Sequence, residues 1–318
     1  MLSLARPAWL RWHNCTTRQA RLSPIILGPG YKELNVPVKR ERIAEGIYVF
    51  TSGIYAEVTA TVIFTQEGAI LVDTLPFPQE TRQIREFVAQ RQSKVLYVIN
   101  THFHADHTYG TYLFPEAEVV AHYRCRRLME RYAEAALAQA QQQTPQLAEV
   151  RIRYPQLLFN ETVTLRIGGK TLELNYSPGH SRDAITVHVV EDRLMIAGDT
   201  VMPVPYIVGG DLDDLILSLG ALKGKNLENL VQGHGEVLLR GEIEETLDAN
   251  IHYLQRIDRL VRERIARGAP RNGVLDITIE ECGLSRIPLG GLVQKLHQAN
   301  LLTLYDSYRS EVKARKPA

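Results

Sequence analysis

Thr101-His102-Phe103-His104-Ala105-Asp106-His107 places three imidazoles and a carboxylate within six residues. It follows Lys94-Val95-Leu96-Tyr97-Val98-Ile99-Asn100, an apolar run that reads as a buried strand. In an extended segment residues two apart face the same way, so His102 and His104 can share one ion. Asp106 and His107, one turn further on, then point at a neighbouring position, which is the spacing of a two-metal site. A merely solvated turn is a poor alternative, because the whole chain has ten histidines and three of them fall in these six positions.

The remainder of the chain offers what such a site still lacks. Histidines stand in the glycine-flanked turns Ser177-Pro178-Gly179-His180-Ser181 and Gln232-Gly233-His234-Gly235, and a carboxylate stands in Ala197-Gly198-Asp199-Thr200. Each follows an apolar, strand-like segment, and the small neighbours let the backbone turn sharply and approach an ion closely. Any one of these residues alone reads as a hydrogen-bonded turn residue. Their order after the first cluster is what gives them weight.

In that order the residues resemble the metallo-β-lactamase superfamily, whose signature runs H-x-H-x-D-H, then a His, an Asp and a last His. The family adds an earlier Asp at a strand end, matched here in Ala69-Ile70-Leu71-Val72-Asp73-Thr74. The resemblance covers the region from Arg42 to Arg262. It implies an α/β fold, a four-layer αββα sandwich with metals at one edge between the sheets. It also implies that His102, His104 and His180 hold one ion and that Asp106, His107 and His234 hold the other, with Asp199 bridging both. Asp73 is then a carboxylate that orients a ligand histidine, a partner that metal sites generally need.

Two cations sharing a water present hydroxide near neutral pH and polarise the substrate oxygen, so no serine or cysteine nucleophile is required. Asp106 stands where a carboxylate both ligates and accepts the water proton. The donor set suits zinc, while imidazole and carboxylate also accept iron or manganese. The expected activity is metal-dependent hydrolysis of a small ester, lactone, thioester or related bond. His104 argues against the flavin-partnered di-iron branch, which usually has Glu there. True β-lactamases usually replace one or more ligands of the second site, whereas this chain keeps His107 and Asp199. Only residues 200 to 233 separate Asp199 from His234, unlike the nucleic-acid-processing branches with their large domain at that place. Two other readings remain: a mononuclear iron enzyme resembling persulfide dioxygenase, which shares H-x-H-x-D-H, and a non-catalytic ligand sensor on the same fold.

Composition agrees with a small-molecule enzyme. Of 318 residues 45% are hydrophobic and 23% charged, with net charge +1, which excludes a disordered chain and a general polyanion partner. No apolar stretch reaches the roughly 18 residues expected of a membrane span. Cys15, Cys125 and Cys282 are far apart and odd in number, so they form neither a disulfide framework nor a cysteine zinc site; a reducing, cytoplasmic compartment is expected. Between Met1 and Tyr31 there is no acidic residue, while Arg6, Arg11, Arg18 and Arg21 are present. Pro7 and Pro24 spoil an amphipathic targeting helix. The expected organisation is an N-terminal extension (1-40), a catalytic domain (41-262) and a helical C-terminal appendage (263-318).

Within the catalytic domain, Ile43 to Gly53 reads as an opening strand, followed by a hairpin turning at Gln66-Glu67-Gly68 and a helix from Pro78 to Gln92. A second half repeats this with strands flanking Gly168-Gly169 and Glu191-Asp192. His122 to Gln143 and Glu242 to Arg267 read as long helices, the latter with Leu247, Ile251, Leu254, Ile257, Leu260 and Val261 at core spacing. Strand runs with helices between them suit two packed sheets with helices outside. The loop Met202 to Ile207, with Phe103 and Tyr109, is expected to wall the pocket, and the Tyr206 hydroxyl to contact the substrate or leaving group. The tail mixes Glu280, Glu281 and Asp306 with its basic residues, so it presents no one-sided positive face to nucleic acid and reads as structural or dimerising.

Overall fold

The structure is a computed structural model that describes residues 38–314. The expected N-terminal extension, together with Cys15, therefore lies almost wholly outside the described residues. The first half builds a seven-stranded sheet in sequence order. Its strands β1 (Lys39–Ala44), β2 (Ile47–Thr51), β3 (Thr59–Phe64) and β4 (Ala69–Val72) form an antiparallel meander. After helix α1 (Pro78–Gln90) come β5 (Val95–Ile99), the short helix α2 (Ala105–Thr108), β6 (Glu118–His122), helix α3 (Tyr123–Gln143) and β7 (Leu157–Phe159). β5, β6 and β7 join β4 in parallel.

The second half builds a six-stranded sheet from β8 (Thr162–Ile167), β9 (Lys170–Tyr176), β10 (Ile185–Val189), β11 (Leu194–Gly198), β12 (Asn229–Gln232) and β13 (Leu238–Leu239). Helix α4 (Leu212–Leu222) sits between β11 and β12, and the long helices α5 (Arg240–Ala266) and α6 (Leu292–Ala314) follow.

Alternation along the strands makes the layers. Ile63, Ile70, Val72 and Ile99 face across to Leu172, Leu174, Ile185, Ile196 and Val231 in a core between the sheets. Their neighbours Val62, Leu71 and Val98 point outward onto Ile84, Phe87 and Val88 of α1. Likewise Met195 and Leu230 face outward onto Leu215 and Leu219 of α4 and Leu247, Leu254 and Ile257 of α5. Strands buried on both faces need near-continuous apolar runs, which is why β4 and β11 carry no polar side chain. The result is the expected αββα sandwich.

One feature differs from the sequence reading. The opening strand is two strands, because Ala44 pairs with Ile47 across a tight turn whose Gly46 has φ +71°. The hairpin at Gly168-Gly169 does form, with φ +50° and +85°, the backbone a two-residue hairpin turn requires. α5 runs through residue 262 without a break, and Val293, Leu301 and Leu304 of α6 share one core with the second sheet and the loop residues Val201, Val204 and Ile207. Among the described residues no helix is long and apolar enough to cross a membrane, and Cys125 and Cys282 are free thiols.

Candidate metal centre

The candidate ligands follow strand ends at the same edge of the sandwich, with Asp106 and His107 carried on the short helix α2 after β5. Asp73 follows β4, and its amide donates to the carbonyl of Ile99 at the end of β5 (2.8 Å). Thr74 then bonds the carbonyl of His107 (2.9 Å), pinning the histidine-rich turn to that strand. The two sheets are tied at this edge by Ile185 donating to Thr101 (2.9 Å) and Thr59 to Gly233 (2.9 Å). A side chain at Gly233 would place its Cβ 1.9 Å from Asp199 Oδ1, so the glycine is what admits that carboxylate.

The seven residues converge in two groups joined by Asp199. In the first, His104 Nδ1 lies 2.9 Å from His102 Nε2 and 3.0 Å from His180 Nε2. Asp199 Oδ2 is 3.1 Å from His180 Nε2 and 3.8 Å from His102 Nε2. In the second, Asp106 Oδ2 is 3.3 Å from His234 Nε2 and 4.0 Å from His107 Nε2. Asp199 turns its other oxygen, Oδ1, to His107 Nε2 (3.2 Å) and His234 Nε2 (3.6 Å). In each group the ligand atoms lie within 4.8 Å of one another, a compass that could hold an ion.

The outer ring nitrogens fix which atoms face inward. His180 Nδ1 donates to the Tyr206 carbonyl (2.9 Å) and His234 Nδ1 to the Ala56 carbonyl (2.8 Å). A carbonyl only accepts, so both rings carry a hydrogen on Nδ1, which leaves Nε2 as the nitrogen that faces the site. Asp73 Oδ2 accepts from His107 Nδ1 (2.9 Å) and from Thr101 Oγ1 (2.6 Å), and Thr101 Oγ1 in turn takes the Nδ1 hydrogen of His102 (3.1 Å). Three imidazole lone pairs facing one another at hydrogen-bond distance repel unless a cation or proton stands between them. Buried His107 Nε2 and Asp199 Oδ1 have no hydrogen-bond partner, a condition that costs about 1–3 kcal/mol per group when left unmet. Lone pairs turned inward, orphaned buried atoms and an imidazole and carboxylate donor set all fit divalent cations.

Charge is divided unevenly across the two groups. Burial, reinforced by the neighbouring imidazoles, lowers the pKa of His102 and takes that of His104 down to about 3. Burial also disfavours charge on His234 and His107, but there Asp199 with Asp106, and Asp73 for His107, outweigh it: His234 is pushed up to about 10 and His107 is raised. Asp106 is held down at about 2 by His107 and His234 against the opposing effect of burial. Without cations, then, protons on His107 and His234 balance the carboxylates, and those protons occupy the positions that cations would take.

The sequence profile of the Metallo-beta-lactamase superfamily matches residues 56–252. The chain belongs to the metallo-β-lactamase superfamily. Among relatives it is 27% identical over 202 residues to a Caenorhabditis elegans beta-lactamase-like protein 2 homolog, covering 61% of this chain and 59% of that one. It is 25% identical over 209 residues to the thioesterase pkgB of Emericella nidulans (66% and 48%), and 24% identical over 199 residues to the human acyl-coenzyme A thioesterase MBLAC2 (59% and 67%). The chain thus spans about half to two thirds of the length of the curated relatives it matches. A metallo-beta-lactamase from Pontibacter korlensis superposes with TM-score 0.56 at 19% identity, covering 67% of this chain and 98% of that one. The alkylsulfatase Pisa1 of Pseudomonas sp. superposes with TM-score 0.66 at 14% identity (85% and 50%). These likenesses show the fold.

Around this superfamily site the expected pocket residues divide. Phe103 is half-buried, its ring 4.6 Å from that of His104, and Tyr206 is half-buried with its ring 6.0 Å from that of His180. Met202, Val204 and Ile207 are turned into the core. Tyr109, expected in the wall, instead packs beneath the site, 3% exposed, among Phe77, Leu137 and Leu147.

Sequence reasoning missed the loop between β2 and β3. Glu80 of α1, fully buried, accepts from Ser52 Oγ (2.7 Å) and Gly53 N (2.9 Å). The loop then passes through left-handed Ala56 and Glu57 (φ +46° and +51°), which brings the Ala56 carbonyl onto His234. Tyr55 in the same loop feels the charges of Asp106 and Asp199, which add to burial in raising its pKa. Ala56 contributes only backbone, so no side-chain signal marks it.

Proposed function

We propose that this protein is a metal-dependent hydrolase of acyl thioesters. The observation that carries the reading is the pair of complete ligand groups sharing the two oxygens of Asp199. Divalent cations held by these residues would lower the pKa of bound water towards neutrality and polarise a substrate carbonyl; zinc suits the donors, and iron or manganese is admissible.

The chain's own residues then divide the work. His102, His104 and His180 hold one position, Asp106, His107 and His234 the other, and Asp199 keeps the two at a fixed separation. Asp106, whose carboxyl His107 and His234 hold below the usual carboxylate range against the effect of burial, is the carboxylate placed to accept the water's proton. Phe103 offers an apolar rest for the acyl group. The Tyr206 hydroxyl is the donor assigned to the leaving group or the developing oxyanion. Water adds to the acyl carbon, the C–S bond breaks, and the products are a carboxylic acid and a thiol. Cys125 and Cys282 are buried, so neither is a nucleophile in reach of substrate. The choice of thioester among ester-like bonds rests on relatives that are named thioesterases.

Purified, metal-quantified protein assayed on acyl-coenzyme A, acyl-N-acetylcysteamine, chromogenic esters and lactones tests this. The expected result is thioester turnover that a chelator abolishes and metal restores. Metal-loaded protein inert on the whole panel, or one iron per chain with oxygen consumption, overturns it.

A further inference from the structure

Helix α6 lies beyond the matched superfamily region, which ends at residue 252, yet it reaches the site through a continuous polar chain. Asn300 of α6 is fully buried, on a helix face shared with Val293, His297, Leu301 and Leu304. Its Oδ1 accepts from Ile207 N (3.0 Å) and its Nδ2 donates to the Pro205 carbonyl (2.7 Å). One amide thus grips both residues flanking Tyr206. The carbonyl of Tyr206 itself receives the Nδ1 hydrogen of His180 (2.9 Å), whose Nε2 belongs to the first ligand group.

The grip is itself braced. Asn300 Nδ2 also donates to Tyr253 Oη (3.1 Å), and that hydroxyl donates to His297 Nδ1 (2.9 Å). His297 Nε2 closes the chain on the Ile277 carbonyl (2.9 Å). A second buried asparagine, Asn250 of α5, donates to the Met202 carbonyl (3.0 Å) at the other end of the same loop. Leucine at position 300 would serve the packing. Only an amide, with a donor and an acceptor fixed side by side, satisfies a buried N–H and a buried carbonyl two residues apart.

We infer that Asn300 is a positioning residue for the metal centre: through the Tyr206 backbone it sets the ring orientation of His180, and through the same loop it sets where the Tyr206 side chain meets substrate. The C-terminal segment is thereby part of the active site's construction. This rests on the metal-dependent reading above, and the test separates the two. Partners that orient a ligand histidine are typically worth about 10–100-fold in metal affinity.

Zinc affinity of the full chain, measured by competition with a chromogenic chelator, is compared among wild type, Asn300→Ala, Tyr253→Phe and Leu301→Ala. Leu301 is buried in the same helix and core but carries no polar link to the loop. Asn300→Ala is expected to weaken the tighter zinc step about 10–100-fold and to shift or broaden the His180 Nδ1–H resonance. Tyr253→Phe, which keeps the volume, is expected to weaken it a few-fold. Leu301→Ala is expected to lower the melting temperature while leaving affinity at the wild-type value. Should Asn300→Ala fail to fold, Tyr253→Phe decides. Unchanged affinity and an unchanged His180 resonance in a folded Asn300→Ala or Tyr253→Phe protein overturn the role, as does an equal loss in Leu301→Ala. A wild type that binds no zinc, iron or manganese overturns the metal reading and this role with it.

Discussion

The two ligand groups are braced from opposite ends of the chain. His107 and His234 lean on the first sheet, through Asp73 after β4 and the Ala56 carbonyl above Glu80. His180 leans on a loop held by the last helix, through Tyr206 and Asn300. What differs is the reach of the support. The teaching is that a ligand's identity is a local property of its turn, while its aim is set by whichever distant segment supplies the outer hydrogen bond. Disturbing the Asn300 brace should therefore loosen the first position and spare the second.

The strongest way to break this comparison is to remove a ligand from each side. His234→Ala is expected to lose one metal per chain and to cut turnover by orders of magnitude, with the first group still occupied. His102→Ala is expected to empty the first position instead. Metal content per chain after desalting checks both, and loss of both ions in His234→Ala would show that the positions are not separately supported.

Next in size come the braces. Glu80→Gln is expected to weaken the second position modestly, because Glu80 acts through the loop rather than on a ring, whereas Asp73→Ala is expected to weaken that position about 10–100-fold and the first position as well, because Asp73 also holds Thr101 against His102. A titration in which Glu80→Gln weakens the first position instead would contradict the division.

Acid sharpens the same contrast. Because carboxylates raise the pKa of His234 to about 10 and that of His107 as well, both rings are protonated near neutrality in the metal-free protein, and cation uptake must displace those protons. Affinity at the second position is thus expected to rise with pH up to about 10, whereas the first position, whose His104 stays neutral down to about 3, should vary less. Calorimetry in buffers of differing ionisation enthalpy reads the protons released; none released would refute the assignment. The smallest effect is expected from Tyr206→Phe, a several-fold fall in kcat with metal content intact, and an unchanged kcat would remove its proposed role.

Legibility in the sequence follows the same line. Two packed sheets with helices outside were readable because period-two alternation, apolar runs and glycine turns are local signals; the cluster from His102 to His107 stood out because histidines with this spacing are uncommon, and His180, Asp199 and His234 gained their weight from their order in the superfamily signature. The turn at Gly46 escaped notice because Ile43 to Gly53 is apolar and β-rich on both sides of it. Tyr109 looked like a wall residue from its place beside His107, but the helix geometry of α2 turns it under the site. Asn300, Glu80 and Ala56 were invisible for another reason. Their partners lie 93, 28 and 178 residues away along the chain, and an asparagine, a glutamate or a backbone carbonyl carries no mark of what will fold against it.

The claim on which everything turns is that Asp199 serves both groups at once, Oδ2 toward His180 and Oδ1 toward His107. Metal stoichiometry and thioester turnover of wild type and Asp199→Ala, measured side by side on folded protein, test it most directly. The account predicts two metals per chain in the wild type, loss of at least one in Asp199→Ala, and loss of most activity with the fold retained. Two metals retained in a well-folded Asp199→Ala protein with near-normal rates would contradict it.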